Sequence, residues 1–380
     1  MPCRMGLLVC LFCLCGLLAG KAQAAPPPPA AIACDKGHSA LEKLAAKELR
    51  RYIYLRTGSL LPIIEPGMPS PAGALILVTT KKRLLETGVS PDAEDAKLNA
   101  EVEGLKPQQF LLKTWKRGDR TVLLVVGGDP LGTLYGAYRL AEHLGARFYL
   151  HGDVLPDKQT ALEMPILDET GKPLFDRRGI QPFHDFPEGP DWWSRDGYKA
   201  ILGQLPKMGM NFFGLHCYPE YAAGPEPLIW IGPPNEIDAN GRVKASYPSR
   251  HFTTVNANGA WGYWSKKTSG YSFGASEIFD RDDYGADYMR DMPPWGFGTT
   301  DPQKTMSPEQ CNALFTRTGD LLDDVFGYAG RLGIKTTIGT ETPLTIPTPV
   351  KERLRAAGKN PDDPAVVQEA GLSGRGAGGV

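Results

Sequence analysis

The sequence lacks a surplus of charge of either sign. Among its 380 residues, 42 are Lys or Arg and 43 are Asp or Glu, which gives a formal net charge of −1. Proteins that bind nucleic acids usually carry a basic stripe or patch that pairs with phosphates. We therefore expect no nucleic-acid partner.

The sequence also lacks the spacings that bind common cofactors and metals. It contains no His-Glu-x-x-His, and Gly127-Gly128-Asp129 precedes a predicted helix without the spacing of a dinucleotide site or a P-loop. Beyond residue 24 it has three cysteines, Cys34, Cys217 and Cys311, which are too far apart for a metal motif or a disulfide framework. We expect no cofactor and no metal; one disulfide and buried thiols both remain open.

The only long apolar run lies at the N-terminus and predicts a signal peptide over residues 1–24. Arg4 precedes an apolar stretch from Met5 to Ala19, and Ala22-Gln23-Ala24 fits a small-x-small cleavage site. Fifteen apolar residues are short for a membrane span. We expect an exported protein, periplasmic or extracellular, without a stable membrane span after cleavage; an uncleaved anchor or a lipoprotein tether are the alternatives.

Residues 25–34 are predicted as a proline-rich spacer and residues 35–155 as a small two-layer α/β domain. Ser39 and Glu42 form a capping box that starts an amphipathic helix, which Gly58 ends. Apolar strands follow, and a hairpin signal occurs near residue 118. A second helix is predicted over residues 131–144, so the pattern is that of helices packed on a sheet.

Strands and helices alternate over residues 175–350. The pattern predicts strands at 175–182, 210–216 and 334–339, helices at 198–208 and 308–332, and a long insertion at 220–310. This order is typical of a parallel (β/α) architecture, but three units fall short of a barrel of about 250 residues. We expect an incomplete TIM (β/α)₈ barrel, an irregular tail at 351–380, and a chain that is a fragment.

Two stretches carry a resemblance to known families. The strand–helix–strand unit at residues 120–150 resembles the end of the α/β domain that precedes the catalytic barrel in α-glucuronidases of family 67 and in β-hexosaminidases. Arg177-Arg178-Gly179 resembles the opening of the first barrel strand in glycoside hydrolases of families 20 and 67. The resemblance implies a glycoside hydrolase-like protein with a carbohydrate substrate, acting on glycans or polysaccharides.

The candidate substrate-binding residues lie mostly after the predicted barrel strands, where barrel active sites gather. In the resembling families an arginine at the position of Arg178 often holds a sugar hydroxyl or carboxylate; a structural ion pair with Asp176 is the alternative. The other candidates, which are also open to structural roles, are His184, Asp185, His216, Glu220, Glu341, Trp261 and Trp264.

The sequence does not provide an obvious catalytic acid. In the resembling families the acid follows the fourth barrel strand, and no residue of this chain matches it. Glycoside hydrolysis needs two placed carboxylates. The catalytic residues are therefore unknown, and the alternatives are a non-catalytic carbohydrate-binding protein and a truncated remnant.

Overall fold

The computed structural model describes residues 30–34, 36–66, 68, 74–84, 96–117, 120–182, 193, 195–217, 239, 308–340, 348–363 and 365–366. The strands within these ranges are Ala30–Ala33 (β1), Ile63–Ile64 (β2), Ala74–Thr80 (β3), Phe110–Arg117 (β4), Arg120–Gly127 (β5), Arg147–Tyr149 (β6), Gly152–Val154 (β7), Asp168–Gly171 (β8), Gly179–Ile180 (β9), Phe212–Cys217 (β10) and Lys335–Thr340 (β11). The helices are Ala40–Thr57 (α1), Lys81–Leu84 (α2), Ala96–Glu103 (α3), Pro130–His143 (α4), Arg195–Gln204 (α5), Pro308–Arg331 (α6) and Thr348–Ala356 (α7).

The caps predicted for the first helix are present in the structure. The Glu42 backbone N–H donates to the Ser39 hydroxyl over 3.3 Å, and the Ser39 N–H donates to the Glu42 carboxylate over 3.0 Å. At the other end Gly58 adopts φ +72° and donates to the Tyr54 carbonyl. The cap residues fix both ends of α1 because each satisfies backbone groups that the helix leaves unpaired.

A six-stranded mixed sheet forms the first part of the molecule, with the order β2-β1-β3-β5-β4-β8. The strands β2, β1, β3 and β5 are parallel, whereas β4 pairs antiparallel with both β5 and β8. The β4–β5 hairpin confirms the turn signal near residue 118, since Arg117 lies opposite Arg120.

The helices α1 and α4 cover one face of this sheet, which is the packing of helices on a sheet expected from the sequence. The core between them includes Leu49 and Tyr52 of α1, Leu134 of α4, and Ile76 and Val125 of the sheet. A smaller cluster on the opposite face brings in Leu84 of α2 and Leu98 and Val102 of α3. This second covering layer was not predicted, and its apolar contribution is only a few side chains per helix.

The edges of the domain differ from the sequence prediction. The strand β1 lies inside the predicted spacer of residues 25–34, although its four residues are buried between β2 and β3. The strand β8 lies beyond the predicted domain end at residue 155 and pairs with β4. Neither segment has a β-branched alternating pattern, so neighbouring strands rather than local propensity make them strands.

A second sheet follows, with the order β11-β10-β9 and parallel pairing throughout. Helices α5 and α6 pack against it through a cluster that includes Tyr198, Leu202, Phe213, Leu215 and Val325. These elements confirm the α/β class and the parallel β/α order of the second part of the chain.

Two further differences concern this second part. The strand β9 is only two residues long, whereas the sequence predicted a strand from Phe175, which is 66% exposed in the structure. The helix α7 lies partly in the region predicted as an irregular tail. Among the described residues, no helix is both long enough and apolar enough to cross a membrane.

Candidate functional site

The two sheets are joined by a hydrogen-bond network at the amino ends of β9 and β10. The Asn211 amide donates to the Gln108 side-chain oxygen and to the Asp176 carbonyl over 2.9 and 2.8 Å, and the Asn211 side-chain oxygen accepts from the Arg178 backbone N–H over 2.9 Å. Asn211 is only 5% exposed. Buried polar groups that are all paired in this way fix a single docking geometry.

Gln108 is the centre of this network and has an unusual backbone conformation. Its φ of +65° is the one positive value among the non-glycine residues of the described parts of the chain. Its backbone N–H donates to the Asp129 carboxylate, which also caps α4, and its side-chain N–H donates to the Asp176 carbonyl. The tertiary contacts thus hold a backbone conformation that costs free energy on its own.

A half-buried ion pair forms a second contact between the two parts. The Lys207 ammonium lies 2.8 Å from the Asp153 carboxylate, which also accepts a hydrogen bond from the Tyr52 hydroxyl over 2.6 Å. Burial opposes ionisation of Asp153, but the hydrogen bonds from Lys207 and Tyr52 outweigh it and hold the pKa of Asp153 below its usual value. Burial, with Asp153 as the next cause, raises the pKa of Tyr52 well above its ordinary range.

Because the first domain occupies the amino ends of the strands, the carboxyl ends of β9, β10 and β11 lie at the opposite end of the sheet. The register places position 216 opposite Gly339, and position 217 opposite Thr340. The carboxyl edge of a parallel β/α sheet is where ligands bind in such folds. This edge is the candidate functional site.

The two faces of this sheet have different compositions. Phe213 and Leu215 alternate onto the face that α5 and α6 cover, and both are buried. Position 216 shares the other face with Phe212 and Gly214, because successive residues of a strand alternate between faces. On β11 the same face carries Thr337, which is exposed.

Arg178 lies at the amino end of β9, not at the carboxyl edge. Its guanidinium donates to the Gly209 carbonyl over 2.7 Å and to the Gln108 side chain over 2.9 Å, and it also donates to the Phe175 carbonyl. The guanidinium carbon lies 5.5 Å from the centre of the Tyr135 ring. These partners favour a structural role, formed with backbone and amide oxygens and not with the Asp176 carboxylate that the structural alternative named; a sugar contact stays a prediction.

The other candidate residues cannot be assigned contacts. His216 lies in β10, and its side chain is outside the part that the structure describes. The remaining candidates lie outside the described residues altogether: His184, Asp185, Glu220, Trp261, Trp264 and Glu341. Their substrate roles stay predictions.

The sequence did not lead us to two groups of residues that include a nucleophilic side chain. The pentapeptide Gly270–Gly274 has the Gly-x-Ser-x-Gly spacing of a nucleophile elbow, but it lies outside the described residues. In the first domain, the buried Cys34 thiol lies 3.2 Å from His38 Nδ1, which is 3.9 Å from the Glu42 carboxylate. The described residues contain no group of His, Cys, Asp and Glu side chains arranged to hold a metal ion.

Adjacent carboxylates on α6 do not form an acid–base pair at the candidate site. Asp323 and Asp324 lie within the helix, away from the strand ends. Asp324 is paired with Lys199 over 2.7 Å and with Arg195 over 3.1 Å. Hydrogen bonding from Lys199 holds the pKa of Asp324 below its usual value, which favours a stable anion over a proton donor.

No family model matches the chain, and no curated protein matches it. The solved structures that are similar to it include two glycoside hydrolases and a third protein, CpGH84D. A family GH115 4-O-methyl-alpha-glucuronidase with specificity for decorated arabinogalactans is 18% identical over 50% of this chain and 25% of its own, with a TM-score of 0.36. A GH138 enzyme targeting pectin rhamnogalacturonan II is 10% identical over 90% of this chain and 28% of its own, with a TM-score of 0.38.

The third similar structure, CpGH84D, is 14% identical over 49% of this chain and 26% of its own, with a TM-score of 0.30. The chain therefore spans about a quarter of the length of each of these structures. At such identities and TM-scores, the similarities do not assign the chain to a family.

Proposed function

We propose that this protein binds carbohydrate at the carboxyl edge of β9, β10 and β11 and is of the glycoside hydrolase type. The observation that carries the proposal is the parallel order of β9, β10 and β11, because the carboxyl edge of such a sheet is where ligands bind in β/α folds.

We also propose a more specific activity, that of an α-glucuronidase or a hexosaminidase. It rests on the sequence resemblance of residues 120–150 and 177–179, together with the parallel order of the second sheet. The first domain acts here as a support, because its contacts with Asn211 and Lys207 fix the amino ends of the strands. No catalytic pair of carboxylates is assigned.

Carbohydrate binding without turnover is the second candidate function. It is the alternative that the sequence leaves open, because no residue of the chain matches the catalytic acid of the resembling families. Binding and hydrolysis must therefore be measured separately.

The test uses the full chain and three probes: methyl α-D-glucuronide, methyl N-acetyl-β-D-glucosaminide and methyl α-D-galactoside. Binding is measured by saturation-transfer NMR and titration calorimetry, and turnover by assays of the matching 4-nitrophenyl glycosides. Binding of one probe with release of nitrophenol supports the hydrolase, and binding alone supports the second candidate. A chain that is folded by circular dichroism yet binds none of the probes would contradict both.

Export is also part of the proposal. The apolar run after Arg4 supports a signal peptide that is cleaved before Ala25. Mass spectrometry of the protein from a secreting host checks this: a mature N-terminus at Ala25 is expected in the secreted fraction, and an intact Met1 on protein in the membrane fraction would argue for an anchor.

A further inference from the structure

A cavity lies at the carboxyl ends of the parallel strands of the first sheet. Its volume is about 440 Å³, and it is lined by the loop that follows β1, by the end of β3 with the start of α2, and by the loop that follows β5. Binding sites for small molecules have volumes of about 300–1,000 Å³. This cavity, which we call the first-sheet cavity, is therefore large enough for a small ligand.

The order of the strands places the first-sheet cavity where the chain reverses its direction across the sheet. From β1 the chain passes through α1 to β2 on one side, whereas from β3 it continues to β4 and β5 on the other side. The helix α1 covers one face of the sheet, and α2 and α3 cover the opposite face. Ligands of open α/β sheets bind outside the carboxyl ends of the two strands at such a switch point. Here these strands are β1 and β3, and the segments that follow both line the cavity.

The Thr80 hydroxyl is a polar group that the fold buries but does not pair. Thr80 is the last residue of β3, lines the first-sheet cavity and is only 7% exposed. Its carbonyl accepts from the Thr79 hydroxyl, but its own hydroxyl makes no hydrogen bond with any residue that the structure describes. Buried hydroxyls are normally hydrogen-bonded, because leaving them unpaired costs free energy. A ligand in the cavity would supply the missing partner.

The charges around the first-sheet cavity favour an anion with a single negative charge. Lys82 and Arg83 line it as cations, and Glu42 and Asp129 line it as carboxylates that accept from backbone N–H groups at the starts of α1 and α4. These four charges balance. Each of the two helix starts adds roughly half a positive charge, so about one positive charge remains.

Lys82 is the cation that a ligand can reach. The Arg83 guanidinium donates to the Gly37 carbonyl over 2.7 Å and so holds the loop that follows β1. Lys82 is exposed, and within the described parts of the chain its ammonium has no ion-pair partner. An ammonium beside a buried hydroxyl and two helix starts provides donors for the oxygens of an anion.

We infer that the first-sheet cavity binds a small hydroxy acid, with its carboxylate beside Lys82 and the Thr80 hydroxyl hydrogen-bonded to one of its oxygens. A carboxylate has one negative charge at neutral pH, which matches the charge of the cavity. A phosphate monoester has about −1.5 to −2 and does not. The inference does not rest on the proposed function, because that function concerns the carboxyl edge of the other sheet.

The first experiment titrates the full chain by calorimetry with D-gluconate, D-glucitol and inorganic phosphate. Gluconate and glucitol have the same hydroxylated carbon chain and differ in one end group, a carboxylate or a hydroxymethyl group. Because hydrogen bonds to charged groups are the stronger ones, we expect gluconate to bind at least about tenfold more tightly than glucitol. Phosphate should bind more weakly than gluconate.

The second experiment places the ligand in the cavity. Thr80→Val and Lys82→Gln are each expected to weaken gluconate binding about three- to tenfold. Lys47→Gln, at an exposed position in the middle of α1, is the matched control and should leave it unchanged. Without ligand, Thr80→Val should unfold in urea as the wild type does, because its hydroxyl has no partner in the described structure; a structural hydroxyl would lower that stability.

Several results would overturn the inference. A folded full chain that does not bind gluconate has no such site, and binding that both Thr80→Val and Lys82→Gln leave unchanged lies elsewhere. Should Thr80→Val fail to fold, unchanged binding in the exposed Lys82→Gln variant decides alone. Glucitol binding as tightly as gluconate, or phosphate binding more tightly, would exclude a carboxylate ligand. None of these outcomes bears on the methyl glycoside test of the proposed function.

Discussion

The two sheets differ in which of their faces are covered by helices. In the first, helices contribute side chains to clusters on both faces, and parallel strands such as β3 are buried on both sides for most of their length. In the second, α5 and α6 cover one face of β10, and the other face offers Gln181 and Thr337 to solvent. Parallel sheets are normally covered on both faces, and the described helices that share a cluster with the second sheet, α5 and α6, lie on one face of it.

The comparison also shows how the two parts depend on each other. Leu44 of α1 and Met208 pack against both large clusters, in addition to the hydrogen bonds of Asn211. The first domain therefore supports the second sheet from its amino ends. Four changes test how far this dependence goes, beginning with the largest expected effect.

Truncation of the second core tests whether the two parts unfold together. Phe213→Ala removes a fully buried ring from the cluster beneath β10, and such truncations cost about 3–5 kcal/mol. Because the clusters share Leu44 and Met208, we expect one cooperative calorimetric transition that shifts to lower temperature. The matched change Leu49→Ala in the first core should lower the same transition, and two separate transitions would show that the parts are independent.

Removal of the Asn211 amide tests the hydrogen-bond network that joins the two sheets, which we call the junction. Asn211→Leu keeps a similar volume but leaves the Arg178 backbone N–H without its partner and deletes two donated hydrogen bonds. We expect a loss of about 2–4 kcal/mol in urea unfolding. Asn99→Leu on α3 is the control and should change stability little; a loss of the same size there would mean that the junction is not special.

The Asp153 ion pair predicts a pH dependence that one substitution should remove. Since the folded pKa of Asp153 is lowered, its stabilisation is fully present above the unfolded value of about 4 and is lost as the pH falls through the folded value. Asp153→Asn should cost about 1.5–3 kcal/mol near neutral pH and less in acid. Urea unfolding from pH 2 to 7 measures this, with the exposed Asp157→Asn as control; a loss that does not vary with pH would contradict the ion-pair explanation.

The smallest effect is expected at the start of α1. Ser39→Ala removes the hydroxyl that accepts from the Glu42 N–H and should cost about 1 kcal/mol. Ser39→Asn keeps a capping oxygen and should recover most of that loss. Equal losses in both variants, measured by thermal unfolding, would show that the hydroxyl acts through another contact, such as its hydrogen bond to the Glu42 carboxylate.

Local signals predicted those parts of the fold that local interactions form. The capping box at Ser39, the stop at Gly58 and the β4–β5 hairpin each depend on residues within a few positions of one another. The strands β1 and β8 carry no comparable signal. They are strands because β3 and β4 provide partners for their backbone groups, and that pairing joins segments far apart in the chain.

Arg178 shows the same limit for the candidate site. The sequence gives its neighbours, Arg177 and Gly179, but not the end of the sheet at which it lies. The structure places it with Gln108, which is 70 positions earlier in the chain. Its guanidinium donates to oxygens of the protein itself, and its contact with a sugar stays a prediction.

The sequence by itself determined the α/β class, the caps of α1 and the alternation of strands and helices, because periodicity and cap chemistry act over a few residues. Only the tertiary structure decided that β1 and β8 belong to the first sheet and that Arg178 lies in the junction. It also decided that the side chain of Gln181 lies over Gly214. These depend on which segments meet in space. Long-range contacts make that choice through burial and hydrogen bonding, and no local pattern in the chain records it.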